Sequence, residues 1–187
     1  MYKLKLNKKK IILSIGAITV ATVPFSSVVS CGVQSFSKDD VKEITEFRLT
    51  PVLNNTDQIK NFSQHLLEHP VAVQVDVGIN RLGLHRSDLL EMKSLLGSLN
   101  VKLIIGHLSS ADDFSAIETT HQLKEFELIS RLFPKVKKSL SATAGVLLNS
   151  NFHFQLVRPG IGLYGGLPFR EAQPVVNLTL PILQTKI

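Results

Sequence analysis

Residues 71–83 read Val-Ala-Val-Gln-Val-Asp-Val-Gly-Ile-Asn-Arg-Leu-Gly, an apolar run that passes directly into a polar loop containing glycine. The run over residues 71–77 predicts a buried strand, because strands of a parallel sheet that is covered by helices are almost continuously apolar. Asn80 and Arg81 follow at the carboxyl end of that strand, between two glycines. The same succession of strand and polar loop recurs along the chain, and it decides the fold prediction.

Short apolar strands alternate with amphipathic helices from residue 47 onward. The further predicted strands are residues 47–53, 101–106, 136–142 and 154–157, with residues 161–164 continuing beyond the last one. The predicted helices are a segment that Asn55 and Gln58 cap together, residues 87–98, and residues 114–133. Such alternation is typical of parallel βαβ units, so the predicted fold class is α/β.

The positive charge of the chain is concentrated at its start. The net charge is +6, five lysines lie in the first ten residues, and no acidic residue precedes Asp39. Residues 31–187 carry 16 basic and 15 acidic side chains, which leaves no basic stripe along which a phosphate backbone could bind. The charge pattern therefore argues against a nucleic-acid partner, and no metal site is predicted.

Residues 1–31 have the layout of a secretory signal, with a lysine-rich start, an apolar run and small residues before Cys31. The sequence Val-Val-Ser-Cys resembles a bacterial lipobox, a motif in which the cysteine thiol is lipidated. This resemblance predicts a lipoprotein at the outer face of the plasma membrane, followed by a linker over residues 32–46. Two alternatives stay open: an uncleaved membrane anchor over residues 11–30, and a free, buried Cys31. The alternative location is cytoplasmic.

Polar and glycine-rich residues follow each predicted strand, and the carboxyl ends of parallel strands meet at the edge where barrel enzymes place their chemistry. Thr143 offers a hydroxyl there, and Gly160 and Ile161 offer backbone N–H groups that suit a phosphate. Singly, each feature has a plainer interpretation. His107 is then a structural hydrogen-bonding group, Arg81 a solvated charge, and Arg-Pro-Gly no more than a turn.

Four segments in this order resemble the alanine racemase family. Residues 76–83 resemble its Val-Asp-Thr-Gly-Met-Asn-Arg-Leu-Gly, residues 107–112 its His-x-x-x-Ala-Asp, residues 141–145 its Ser-Asn-Ser-Ala-Gly, and residues 158–165 its Arg-Pro-Gly-Ile-x-Leu-Tyr-Gly. The resemblance implies part of a TIM (β/α)₈ barrel, about strands four to eight, over residues 47–173. Residues 174–187 resemble the first strand of the family's C-terminal β domain.

The resemblance also implies pyridoxal phosphate as the cofactor. Arg158 would hydrogen-bond its pyridine nitrogen, with His107 orienting Arg158 from behind. Arg81 would lie near the ring oxygen of the cofactor and the carboxylate of an amino-acid substrate. The other implied cofactor-binding residues, of which the first three hold the phosphate, are Thr143, Gly160, Ile161 and Tyr164.

The sequence departs from the family pattern in ways that bear on activity. Thr143 replaces a serine and keeps its hydroxyl, whereas Ala142 replaces an asparagine and Val77 a threonine. The family's Schiff-base lysine motif, which resembles Lys-Ala-Asn-Ala-Tyr-Gly, does not occur in the printed sequence, and neither does the domain with the catalytic tyrosine. Racemisation needs an acid–base group on each face of the substrate α-carbon. We therefore expect no interconversion of L- and D-alanine by this polypeptide alone.

Two further hypotheses stay open beside a racemase homologue, namely a non-enzymatic membrane-anchored lipoprotein and a binder of phosphate ligands without chemistry. A partial barrel exposes unpaired strand edges and an apolar interior. The sequence therefore predicts self-association or a complementing half as the protein partner.

Overall fold

The computed structural model describes residues 37–113 and 115–175. Within these ranges the strands are β1 (Val52–Leu53), β2 (Val71–Gln74), β3 (Val101–Ile105) and β4 (Lys137–Ser139). The α-helices are α1 (Lys38–Glu46), α2 (Thr56–His65), α3 (Arg86–Glu91), α4 (Lys93–Ser98), α5 (Ile117–Ser130) and α6 (Thr143–Val146), and 3₁₀ turns cover Ser150–Phe152 and Ile161–Tyr164.

Several sequence predictions fall outside the described ranges. They concern the leader over residues 1–31 with its Cys31, and almost all of the strand expected over residues 174–187. Across residues 37–113 and 115–175, none of the helices combines the length and the apolar character that a membrane span requires.

The four strands form one parallel sheet in the order β1-β2-β3-β4. Each strand thus pairs with the next one along the chain, and the order never reverses. Connections between parallel strands are almost always right-handed, so a sequential order places all of the connecting helices on one face of the sheet. A sheet of this kind is a segment of barrel wall, as the α/β prediction required.

The register of the sheet sorts its side chains onto two faces. One register row crosses all four strands and consists of Leu53, Val73, Ile104 and Lys138. The next row, toward the carboxyl edge, consists of Gln74, Ile105 and Ser139. Side chains alternate between faces along a strand, so these rows point in opposite directions. Gly106 lies two residues after Ile104, so it belongs to the same face of the sheet as the first row. A Cβ on Gly106 would lie 2.8 Å from the ring of Phe126 in α5, and the first row therefore faces the helices.

The helices are buried along the faces that their sequence periodicity predicts. Ile59 and Phe62 of α2 are buried, as are Leu89, Met92 and Leu96 in the region predicted as one helix. Burying a side chain of this size contributes about 1.5–3 kcal/mol. These residues join the apolar side chains of the sheet in one core cluster.

The predicted cap of α2 is confirmed. Asn55 is the N-cap, and its Oδ1 accepts the Gln58 backbone N–H at 2.8 Å. The Gln58 side chain, however, accepts the backbone N–H of Asn54 at 2.7 Å, one residue earlier than a capping box requires. Both side chains still satisfy backbone donors at the point where the chain leaves β1.

The predicted fifth strand over residues 154–157 is wrong. Phe154 has a φ of +51°, which interrupts the extended run, and its ring packs edge-on against Phe126 with centroids 4.9 Å apart. The side chain of Gln155 replaces one backbone hydrogen bond that a fifth strand would make to β4, since its oxygen accepts the Lys138 backbone N–H at 3.0 Å. A single parallel bridge joins Arg158 to the chain beyond β4, at Ala142.

Other boundaries also differ from the sequence predictions. The linker expected over residues 32–46 contains α1, which Ser37 caps in a capping box with Asp40 and which buries Ile44. The helix expected over residues 87–98 is two helices that meet at Met92, and residues 161–164 form a 3₁₀ turn instead of extended chain. The strands are also shorter than predicted. At β1 the reason is that α1 ends at its C-cap Phe47 and Arg48 has a φ of +50°, which interrupts the extended run predicted from residue 47.

Candidate functional site

Asp76 organises the loop that follows β2. Its buried carboxylate accepts three backbone N–H groups through Oδ1, from Gly78 at 2.8 Å, Ile79 at 2.9 Å and Asn80 at 3.2 Å. Hydrogen bonds to a charged acceptor are stronger than those between neutral groups. The three bonds fold the loop around the carboxylate, and they fix the backbone from which the next residue, Arg81, extends.

Gly83 closes this loop against the strand. Its φ is +116°, in a region that residues with side chains rarely adopt. A Cβ on Gly83 would lie 2.7 Å from the backbone carbonyl carbon of Val75. The chain then returns alongside the strand, because Leu84 forms a parallel bridge with Val75 and donates to the Gln74 carbonyl at 3.0 Å. The spacing of the glycines in this segment is therefore a requirement of the backbone path.

The Arg158 guanidinium lies across the carboxyl ends of β3 and β4. Its Nη1 donates to the Ser139 hydroxyl, and its Nη2 donates to the carbonyl oxygen of Gly106 at 2.6 Å and more weakly to that of Leu140 at 3.4 Å. Burial lowers the pKa of Arg158 to about 10, so the group keeps its charge at neutral pH. A guanidinium has five N–H donors, and these contacts leave others available for a ligand.

His107 and Arg81 belong to the same positively charged region. The pKa of His107 is lowered from 6.5, first by burial and then by Coulomb repulsion from Arg158 and Arg81. The imidazole is accordingly neutral at pH 7 and leaves the two arginines as the cations of this edge. The structure thus brings together the three residues that the sequence singled out after three different strands.

Thr143 connects the loop after β4 to the glycine-rich loop near the end of the described chain. The Thr143 side chain is buried, and its Oγ1 accepts the backbone N–H of Gly160 at 3.0 Å and that of Gly162 at 3.1 Å. A hydroxyl has two acceptor lone pairs and one proton. Because both lone pairs are engaged by N–H groups, the hydroxyl proton is the hydrogen-bonding capacity that remains on Thr143 for a ligand.

The glycine-rich loop presents further donors around open space. A Cβ on Gly160 would meet no atom within 4 Å. Ile161 begins the 3₁₀ turn, and the first N–H groups of a helical turn have no partner within it. Together with the hydroxyl of Thr143, these features suit a phosphate group. The Gly160 N–H, which the sequence analysis also assigned to a phosphate, donates to Thr143 instead. Tyr164 ends the same turn and is exposed, 61 % of its surface being accessible.

A cavity of about 300 Å³ lies beside Arg81, at the carboxyl ends of β1 and β2. It is lined by Asn54, Asn55, Asp76, Asn80, Arg81, Leu82, Gly83 and His85. A larger cavity of about 530 Å³, lined by residues 63–70, lies in the connection from α2 to β2, at the opposite end of the strands. The larger cavity contains none of the predicted site residues, so we assign the site to the carboxyl edge.

Sequence reasoning missed the residues that hold the site residues in place. Ser139 and Gly106 accept the guanidinium protons of Arg158, and Gly162 donates to Thr143. Buried Gln122 of α5 accepts the Ser109 N–H at 3.0 Å and so supports the loop after β3. No local motif marks Ser139, Gly106 or Gln122, and Gly162 stands at the variable position of the segment 158–165. A buried serine or glutamine within an apolar pattern is the one signal that could have identified Ser139 and Gln122.

The fold and the site define a class of protein. A parallel sheet in sequential order, with helices on one face, carries two arginines and the hydrogen-bond donors of Thr143 and Ile161 at its carboxyl edge. This is the arrangement of a TIM barrel with an anion-binding site.

Comparison with known proteins identifies the family. The family model described as alanine racemase, N-terminal domain, matches residues 26–168, and the chain belongs to this family. The match includes α1, so the predicted linker lies within it. The fold is accordingly a partial TIM barrel, and the resemblance stated from the four sequence segments is confirmed.

Similar curated and solved proteins agree with this assignment. The alanine racemase of Ruegeria sp. is 40 % identical over 148 residues, which is 79 % of this chain and 42 % of the relative. The solved alanine racemase of Bartonella henselae, with covalently bound pyridoxal phosphate, has a TM-score of 0.66 and 29 % identity over 73 % of this chain and 42 % of its own. That of Pseudomonas aeruginosa has a TM-score of 0.67 and 26 % identity, covering 74 % and 42 %. The chain thus spans about two fifths of the length of these relatives.

Proposed function

We propose that this chain binds pyridoxal phosphate in the manner of an alanine racemase, through the phosphate and the pyridine ring. The observation that carries the proposal is the paired anchoring of Thr143 to Gly160 and Gly162 beside the fixed guanidinium of Arg158. One group suits a phosphate and the other a ring nitrogen, and both lie at the same sheet edge. The covalently bound cofactor in the Bartonella henselae relative supports the choice of ligand.

The residues have separate tasks in this proposal. Thr143 donates a hydrogen bond from its hydroxyl group to a phosphate oxygen, and Ile161 donates one from its backbone N–H. Arg158 donates to the ring nitrogen, and because its pKa stays near 10 it holds that nitrogen unprotonated. Arg81 supplies positive charge toward the carboxylate of an amino acid. When bound, the cofactor supplies an electron sink for charge that develops at the amino-acid α-carbon.

Equilibrium dialysis against pyridoxal phosphate tests the binding proposal. We expect one molecule retained per chain, and loss of retention in Ile161→Pro, which removes the phosphate-facing N–H. A matched control is Ile161→Ala, which shortens the same exposed side chain but keeps the backbone N–H. Equal retention by the wild-type chain and Ile161→Pro would contradict the proposed phosphate contact, and no retention by the wild-type chain would refute the binding proposal itself.

The 187-residue polypeptide by itself is proposed not to racemise alanine. The support is the lack of a Lys-Ala-Asn-Ala-Tyr-Gly-like motif in its sequence, since that lysine is one of the two acid–base groups that the family uses. Incubation of the purified polypeptide with L-alanine and pyridoxal phosphate should give D-alanine at the rate of the free cofactor alone. A rate clearly above that background would refute the proposal.

Association with a second polypeptide, or with a second copy, is proposed as the way in which the sheet edges are covered. β1 and β4 are the outer strands of the sheet within the described residues, and Leu163 and Leu167 later in the chain are exposed. Small-angle scattering of the purified chain should give a mass above that of a monomer. A monodisperse monomer would contradict self-association.

Anchoring at the outer face of the membrane through a lipidated Cys31 is also proposed. Its support is the sequence layout of residues 1–31, which lie outside the described structure. Mass spectrometry of the mature N-terminus decides between the possibilities. A lipid-modified Cys31 is expected, whereas an unmodified Met1 in a soluble fraction would favour the cytoplasmic alternative.

A further inference from the structure

We propose that Ser139 is a positioning residue that sets the orientation of the Arg158 guanidinium and thereby its aim at a pyridine nitrogen. The proposal rests on the binding function proposed above. It differs from the role that family resemblance implies for His107, because the hydrogen bonds of Arg158 go to Ser139 and to backbone carbonyls.

The position of Ser139 in the sheet makes it suited to this task. Its side chain is fully buried, and it lies in the register row beside Ile105, on the face opposite the helices. The guanidinium contacts Ser139 through Nη1 and the Gly106 carbonyl through Nη2. Two acceptors on neighbouring strands, engaged by two different nitrogens, fix both the direction of a planar guanidinium and its rotation about its axis.

The chemistry of the acceptor matters as much as its place. A hydroxyl accepts a hydrogen bond without neutralising the cation, whereas a carboxylate would pair with it. Among residues 37–113 and 115–175, the structure shows a salt bridge between Arg86 and Glu125, with the charged atoms 3.4 Å apart. Within the same residues, Arg158 forms no salt bridge with a carboxylate. Ser139 therefore holds Arg158 in place while leaving its full charge to face a ligand.

Ser141 provides a matched control two residues further along the chain. It is also fully buried, and its hydroxyl donates to the Phe152 carbonyl at 2.7 Å, with no side-chain contact to Arg158. Ser139→Ala and Ser141→Ala thus each remove one buried hydroxyl and one hydrogen bond. Only the first of them leaves a guanidinium N–H without its partner.

The test compares two ligands that share a phosphate but differ in the ring. Pyridoxal phosphate has a pyridine nitrogen, and phenyl phosphate has none. We expect Ser139→Ala to weaken binding of pyridoxal phosphate roughly tenfold, the effect of losing one charge-assisted hydrogen bond, with phenyl phosphate affinity unchanged. Ser141→Ala should leave the ratio of the two affinities as in the wild-type chain. An unchanged ratio in Ser139→Ala, or an equal change in Ser141→Ala, would overturn the proposal.

A measurement without ligand keeps the inference testable if the wild-type chain binds neither phosphate. Nitrogen-15 NMR of the arginine side chains reports rotation about the bond between Nε and Cζ, which exchanges the two Nη atoms. Separate, slowly exchanging Nη signals are expected for Arg158 in the wild-type chain and in Ser141→Ala, with averaging in Ser139→Ala. Signals already averaged in the wild-type chain, or unaltered in Ser139→Ala, would contradict the positioning role, whereas failure of the wild-type chain to bind either phosphate would contradict only the proposed function.

Discussion

The hydroxyl oxygen of Thr143 lies 3.0 Å from the backbone nitrogen of Gly160, and this hydrogen bond links two loops separated by 17 residues. A second bond, from the Gly162 N–H at 3.1 Å, strengthens the link. One side chain at the start of α6 thus determines the shape of the glycine-rich loop. The proposed phosphate site therefore depends on an interaction within the protein as well as on free donors.

Replacement of Thr143 by valine should damage both the loop and the binding site. Valine keeps the shape but accepts no hydrogen bond, so the buried Gly162 N–H is left unsatisfied at a cost of about 1–3 kcal/mol in the free energy of unfolding. Affinity for pyridoxal phosphate, measured by calorimetry, should fall at least about tenfold. Thr143→Ser keeps the hydroxyl and should retain most of the affinity; equal losses in the two variants would contradict the role assigned to the hydroxyl.

Removal of the Asp76 carboxylate should destabilise the chain. Asp76→Ala leaves three backbone N–H groups without their acceptor, and we expect urea unfolding to show a loss of about 2–3 kcal/mol. Asp112→Ala, at an exposed position, should change stability by less than about 0.5 kcal/mol. If both variants unfold at the same urea concentration, Asp76 does not organise the loop.

The stability of the chain should fall as the pH drops below about 6.5, in part because of His107. The pKa of His107 is lower in the folded chain than its ordinary value of 6.5, so the unfolded chain binds more protons in this range. The stability that the neutral His107 contributes is fully present above pH 6.5 and is lost as the pH falls through the lowered pKa of the folded chain. His107→Gln should flatten this part of the profile of unfolding free energy against pH. A profile that keeps its slope in His107→Gln would rule out this contribution.

The hydrogen bond by which the Asn55 side chain caps α2 should contribute measurably to the stability of the chain. Asn55→Ala should lower the free energy of unfolding by about 1 kcal/mol, because the Gln58 N–H loses its acceptor. Asn55→Asp or Asn55→Ser restores an acceptor and should recover most of the loss. Thermal unfolding followed by circular dichroism is sufficient, and identical midpoints for the wild-type chain and Asn55→Ala would contradict the capping role.

Much of the fold could be predicted from the sequence, because the features that define it are local. The apolar runs that contain β2 and β3 and the cap at Asn55 are visible in short windows, and the strand–helix alternation fixes a parallel sheet. The predicted fifth strand failed for a reason that lies outside any window. Phe154 turns inward to pack on Phe126, almost thirty residues earlier in the chain, and this contact outweighs the strand propensity of residues 154–157.

The residues of the candidate site also fall into two groups, those that a local sequence pattern marks and those whose role depends on contacts between distant segments. Residues with a distinctive local setting, such as Arg81 between glycines and Thr143 just after a predicted strand, could be identified directly. Ser139 and Gly106 act on Arg158 from 19 and 52 residues away in the chain, so their roles depend on the register of β3 and β4. Likewise α1 lies in a segment whose sequence predicts a linker, because the helix is polar and Ile44 is its one buried residue.

The most direct test of the central claim is a crystal structure of the intact chain grown with pyridoxal phosphate. The claim is that this chain holds the phosphate-and-pyridine side of an alanine-racemase-like site. We predict a phosphate within hydrogen-bond distance of the Thr143 hydroxyl and the Ile161 N–H, with the ring nitrogen facing Arg158. A cofactor bound elsewhere, or no bound cofactor at saturating concentration, would contradict the claim.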